Sequence, residues 1–394
     1  MIKQKAQIAL IAIITILMCL MVAPTQAQQV KWSNLYIIDS NAGAGVFSSL
    51  AVDTTNSVSV CYVNAVTGNA MSTFSQTGWA HNTISVIDSN SNTAVVTDNT
   101  GTSYDLFTSG GDLTEAYGAY NQIPTVSQIL YNSNVVSGEV GSLGLIGAGQ
   151  LALAYLNGND LIYSLISGYQ MQAALQLTTD AQGGMRNVSM VMDASGLPHI
   201  AYYTTNGTLK YEYEDAGAAW HTQIVDNTPG HDVGQFNSIG IDSKGIVSIS
   251  YYDATTDSLD VAQQYNGGWT LKTVPTLGGG AGQYSSLVVN PTTDNLYVAY
   301  YDDQNHDLRL ATYNAALKTW SDTLVDGLTG YNIGQDANLG TSDMQNFFVS
   351  YVSSSGTTGS QLKVAAGSVP EPTSLFALGG GLAGIIGLLR RRRA

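Results

Sequence analysis

The sequence predicts an all-β protein built from one unit repeated about every 48 residues, and three columns of residues carry that prediction. The five tryptophans, Trp32, Trp79, Trp220, Trp269 and Trp320, are spaced by 47, 141, 49 and 51 residues. Because 141 is three times 47, one period puts all of them in the same slot. A second column, Tyr155, Tyr202, Tyr251, Tyr300 and Tyr351, keeps the same register and extends upstream to Tyr62 and Phe107. A third column, Asp53, Asp98, Asp193, Asp242 and Asn290, ends the strand that precedes each tyrosine. Composition agrees: 23 Tyr and 42 Gly favour strands and turns, and a charged fraction of 11% leaves little for solvated helices or coiled coils.

Each unit holds four short β-rich runs separated by Gly, Asn, Asp or Thr turns. One reads 238–242, 247–253, 259–265 and 269–274; the next reads 286–290, 296–302, 308–313 and 320–326. Units start near Phe47, Thr93, Gly141, Asn187, Asn237, Ser285 and Asp336. The last has three runs only, 336–341, 346–352 and 361–366. Its missing fourth is expected from 32–39, where Trp32 to Asp39 repeats the pattern of Trp220 to Asp226 and Trp320 to Asp326. Periods of this length are those of propeller blades, and a borrowed terminal strand closes such a ring. The body therefore resembles a seven-bladed β-propeller of four-stranded antiparallel blades over 28–368, closed by an N-terminal strand. The second and third units diverge most, and six to eight blades fit the count. The tyrosines are expected in the packing between blades.

The two ends read as address labels. Residues 1–27 have the form of a signal peptide: Lys3 and Lys5, an apolar run from Ile8 to Val22, and Thr25-Gln26-Ala27 before the expected cut. At the other end, Pro370-Glu371-Pro372 is followed by an apolar segment, 374–389, and by Arg390, Arg391, Arg392 and Arg393. This tail, 369–394, resembles the PEP-CTERM sorting domain. The resemblance implies a short transmembrane helix before processing, an exosortase-type membrane peptidase and secretion machinery as partners, and export in a bacterium with two membranes. It also implies a final place at the cell surface or in an exopolysaccharide or biofilm matrix. Without both labels, eight basic residues face 28 acidic ones, a body near −20. Such a charge argues against nucleic acid as a partner. Only Cys61 remains, so no intrachain disulfide is available.

Candidate sites follow from the repeat. The segments leading into the innermost strand recur as Gly45-Val46-Phe47, Gly234-Gln235-Phe236, Gly282-Gln283-Tyr284 and Gly334-Gln335-Asp336, with Gly184-Met185-Arg186 near register. They place Phe47, Phe236, Tyr284 and Arg186 as ligand-binding candidates at the channel mouth. The loops between strands two and three are acidic: Asp253, Asp257, Asp302, Asp303 and Asp307. Carboxylates at alternating positions suit calcium, although the turn glycine and closing Glu of an EF-hand are missing. Solvated turn formers explain the same residues. Enzyme signatures are poor: sialidases hold substrate with three arginines, whereas this body has Arg186 and Arg309 only, and Gly-x-Ser-x-Gly is absent. No catalytic residue is assigned. The expectation is a binding module for exopolysaccharide or a protein partner, with calcium as a possible aid. The alternative is a glycan hydrolase or lyase using channel-mouth carboxylates.

Overall fold

The computed structural model describes residues 29–370, except 87–91, 110–111, 119–125, 132–139, 148–149, 169, 185–186, 277–278 and 356–358. The expected signal peptide and the apolar segment 374–389 lie outside the described residues. Among the described residues no helix is long and apolar enough to cross a membrane.

Seven antiparallel sheets follow one another along the chain. Within each, strand A is innermost and strand D outermost. Blades 1 to 6 span 44–86, 94–131, 140–178, 188–226, 233–273 and 281–326. Blade 7 takes strands A to C from 332–368 and strand D from Lys31–Asp39. That closing strand pairs antiparallel with Gly359–Ser368, from Lys31 opposite Ser368 to Asp39 opposite Leu362. Blade 3 departs from the pattern: two short strands, Gln170–Met171 and Leu175–Thr178, share its outer edge. Blades 2 and 3 carry no tryptophan in or just before strand D, whereas in blade 1 Trp79 lies two residues ahead of it.

Each sequence column has its own job. The Asp/Asn column closes the A–B turns. Asp53 Oδ1 accepts the amides of Thr55 and Ser57, and Asp98, Asp193 and Asp242 repeat this two and four residues on. The tyrosine column in strand B is buried throughout. Its hydroxyls cross between blades: Tyr62 donates to Asp39, Tyr251 to Asp226 and Tyr351 to Asp326, at 2.9, 2.8 and 2.6 Å. Each acceptor ends strand D of the preceding blade. Burial, and then the aspartate itself, push these phenols far above their ordinary pKa, so they stay donors. Tryptophans also pack across blades, Trp220 on Tyr163 and Trp269 on Tyr211.

Blade 2 carries an electrostatic weakness. Asp105 and Glu115 are almost fully buried, and one carboxylate oxygen of each lacks a hydrogen-bond partner. Burial raises Asp105 to about 6 and Glu115 to about 7. Below about pH 4 Asp105 is protonated in both folded and unfolded chains and costs nothing. As pH rises through its folded value, the buried group must take up charge, and stability falls. Asp105→Asn keeps the acceptor for the Ser103 hydroxyl and removes that cost. Urea unfolding is expected to show a gain of roughly 2 kcal/mol at alkaline pH and almost none in acid.

Candidate functional site

One face of the ring is built from B–C loops and from the segments that lead from strand D into the next strand A. Backbone bonds lace the two sets together: Val233 N–H to Gly207 O, Ala281 N–H to Asp257 O and Ile333 N–H to His306 O. The Gly-x-aromatic segments, expected as loops, are the first residues of strand A itself. Gly45, Gly234, Gly282 and Gly334 have φ of 95 to 115°, and Phe47, Phe236, Tyr284 and Asp336 have φ of 51 to 55°. Two positive-φ residues separated by one other accompany a bulge, seen as register shifts between Val46 and Ser49, Gln235 and Ser238, Gln283 and Ser286, and Gln335 and Asn338. The strands thus start three to five residues earlier than the sequence reading placed them. A non-glycine residue in this conformation costs about 1 to 2 kcal/mol. The glycines have no alternative: a Cβ on Gly282 would lie 2.7 Å from Leu259 Cα.

Behind the bulges the inner strands form a polar belt. Ser48 donates to Asp336 O, Thr93 to Phe47 O, Asn237 to Asn187 O and Ser285 to Phe236 O, each bond reaching into the preceding described blade edge. The belt surrounds a cavity of about 200 Å³ on the channel axis, lined by all seven blades, with Phe47, Ser49, Asn92, Ser238, Ser286 and Asn338 on its wall. Asp336 is the one carboxylate on that wall among the described residues, and its Oδ2 accepts the Phe47 amide at 3.1 Å.

The expected aromatics divide. Phe47 lines the cavity and its ring packs against the group around Phe107 between blades 1 and 2. Phe236 and Tyr284 are half-buried and contact each other, centroids 4.7 Å apart. Tyr252 meets Phe236 edge-on at 6.1 Å and Tyr301 meets Tyr284 at 6.3 Å, so four rings form a row along blades 5 and 6. Arg186 lies outside the described residues.

The loop aspartates gather only in part. Asp253 is buried; its Oδ1 accepts the amides of Thr255 and Thr256, and its Oδ2 meets His231 Nδ1 at 2.6 Å. Asp302 holds Asn305 and lies 4.0 Å from Arg309, which is bonded to Asp322 at 2.9 Å. Asp257 accepts the Tyr252 hydroxyl. Asp257 and Asp303 flank Gly280, and Asp307 sits on the other side of its loop. Among the described residues no group of three or more His, Cys, Asp or Glu side chains is placed to hold a metal ion. Loop capping and ion pairing occupy Asp253 and Asp302 instead.

Residues 368–393 match the PEP-CTERM protein-sorting motif. No curated protein matches the chain. Among solved structures, a protein of unknown function from Dyadobacter fermentans aligns over 86% of this chain and 99% of its own, with TM-score 0.54 and 12% identity. The polysaccharide lyase Uly1 aligns over 88% and 93%, with TM-score 0.53 and 10% identity. The Aleuria aurantia lectin aligns over 72% and 97%, with TM-score 0.49 and 13% identity.

The His231–Asp253 pair yields a direct test. Burial works to raise the Asp253 carboxyl, but the His231 bond and the Thr255 and Thr256 donors outweigh it and hold the group low. The same bond raises His231. Asp253→Asn is expected to bring the His231 midpoint down to the usual imidazole range, read by NMR titration. An unchanged midpoint means the pair is not formed. The chain is a seven-bladed β-propeller that carries a PEP-CTERM sorting motif, which implies export to the surface or exterior of a Gram-negative bacterium.

Proposed function

We propose that the propeller is a binding module for a matrix glycan, engaged at the channel mouth. The observation that carries this reading is the set of aromatic side chains kept at left-handed positions, Phe47, Phe236 and Tyr284, where a residue without a Cβ would be unstrained. Strain is tolerated there, the two exposed-side rings form a row with Tyr252 and Tyr301, and the neighbouring wall supplies hydroxyl and amide groups. Aromatic faces beside convergent hydrogen-bonding groups suit a sugar ring, which has apolar faces and a hydroxyl rim. A sorting motif that implies export and exosortase-type processing supports a meeting with such polymers outside the cell. The likeness to a polysaccharide lyase is one of fold and leaves catalysis to experiment. Among the described residues the channel wall offers one carboxylate, Asp336, and glycoside hydrolysis uses a pair. Calcium enters as a bridge between an acidic body and an anionic polymer rather than as a preformed site.

The closed ring lies within 31–368, so residues 28–368 suffice for the test. Co-elution with the host's own exopolysaccharide, followed by light scattering with and without calcium, is expected at unchanged polymer length. Phe236→Ala and Tyr284→Ala are each expected to weaken binding about five- to thirtyfold, the worth of about 1 to 2 kcal/mol of ring contact. A shortened polymer would make the protein an enzyme. Unaltered binding by both variants would remove the aromatic row from the site.

A further inference from the structure

Blade 4 departs from the repeat on one face of its sheet. Its strands B, C and D are Pro198–Tyr203, Leu209–Glu214 and Trp220–Asp226. His199 is paired with Tyr213, and Tyr213 with His221. Tyr211 lies two residues from Tyr213, so strand alternation puts all four side chains on the face toward blade 5. Their rings stack with planes within 25° of parallel. Centroids are 5.2 Å apart for Tyr211 and Tyr213 and 5.0 Å apart for Tyr213 and His221. The His199 ring lies 5.9 Å from Tyr211 and 6.1 Å from Tyr213. Trp269 of blade 5 meets Tyr211 edge-on at 5.4 Å. A continuous path of rings thus runs from half-buried Trp269 through Tyr211 and Tyr213 to exposed His221.

One bond sets this stack apart from packing alone. The Tyr211 hydroxyl, almost fully buried, is bonded to His199 Nδ1. Burial holds His199 below the ordinary imidazole value, against the opposing pull of Asp193, so the ring is neutral at pH 7. Its Nε2 lies 3.9 Å from Asp193 Oδ2, which favours the tautomer with the proton on Nε2 and leaves Nδ1 to accept. Burial raises the Tyr211 phenol, so Tyr211 is the donor. Asp193 is itself fixed, its Oδ1 accepting the amides of Ser195 and Leu197.

Blade 3 supplies the comparison. Tyr163 fills the slot of Tyr211, paired with Ala154 as Tyr211 is with Ala201, and it packs on Trp220 at 5.0 Å. Ala152 stands there in the slot of His199. The contact between tyrosine and tryptophan therefore forms without an imidazole, and His199 serves some other end. Removing an electron from a phenol turns its hydroxyl into a strong acid. A buried phenol can lose that proton only to a base already bonded to it. Neutral imidazole is such a base, and Asp193 faces the charge it would acquire. The latches of Tyr62, Tyr251 and Tyr351 use carboxylates instead, which are ordinarily weaker bases.

We propose that Tyr211 is a redox-active tyrosine with His199 as its proton acceptor. A diffusible one-electron oxidant of the peroxyl-radical class takes an electron from the Trp269 ring. Tyr211 refills that ring, and its phenol proton passes to His199 Nδ1. The oxidant leaves as the anion; the chain keeps a neutral radical on Tyr211 and an imidazolium at His199 beside Asp193. This activity stands apart from ligand capture at the mouth.

The probe is the azidyl radical, generated by pulse radiolysis in a solution of residues 28–368. Tryptophanyl absorption is expected to give way to tyrosyl absorption in a fast phase that slows in heavy water. Tyr211→Phe keeps the ring and its packing and is expected to abolish that phase. His199→Gln leaves an acceptor that cannot take up a proton and is expected to slow the phase about tenfold. Tyr163→Phe, in the blade without the imidazole, is expected to leave it unchanged. Should a variant fail to fold, the heavy-water comparison on the unaltered chain decides, since equal rates in the two solvents mean that no proton moves with the electron. The proposal is overturned by the absence of a tyrosyl phase, by its survival in Tyr211→Phe, by an unaltered rate in His199→Gln, or by its loss in Tyr163→Phe.

Discussion

The structure depends on one pairing, that of Lys31–Asp39 with Gly359–Ser368. It joins residues more than 300 positions apart, so almost the whole chain must be in place before the ring closes. Without it, Gly359–Ser368 would be an open sheet edge. The closing strand also reaches into blade 1: Asp39, its last residue, accepts the Tyr62 hydroxyl. Gly45 packs into the same seam, where a Cβ would meet Leu362 at 3.0 Å. Closure, the first inter-blade latch and the first bulge are thus one connected set of contacts.

Two kinds of inter-blade contact then divide the labour. Tyr–Asp latches and tryptophans tie the outer and middle parts of neighbouring blades, where apolar area is large. Around the axis, where the inner strands converge, Ser, Thr and Asn side chains satisfy the carbonyls of the adjacent blade. A wedge-shaped blade needs small side chains at its narrow end, and small polar ones also leave hydrogen-bonding capacity on the channel wall. The same geometry that closes the ring supplies the polar surface of the mouth.

Much of this was legible in the sequence because the repeat displays each position several times. The tyrosine, tryptophan and Asp/Asn columns gave the strands, the blade number and the donor of the final strand. The aspartates ending strand D were visible too, in the Trp32-to-Asp39 pattern, but nothing in one dimension shows that Tyr251 reaches Asp226 in the preceding blade. The bulges were missed for a related reason. A glycine before an aromatic reads as a loop, and only the backbone reveals two left-handed residues inside a paired strand. The loop aspartates were ambiguous in the sequence because turn capping and metal binding use the same carboxylates at the same spacing.

Both ends of the described chain leave from one side of the disc. Lys31 and Ser368 are partners, and Val369 N–H bonds to Gln345 O in the A–B turn of blade 7. That is the side of the A–B and C–D turns. The aromatic row, the bulges and the B–C loops are on the opposite side. The chain therefore runs into its sorting motif, 368–393, from the face opposite the aromatic row, and the tail and the bulged rim are separated by the length of the strands between them.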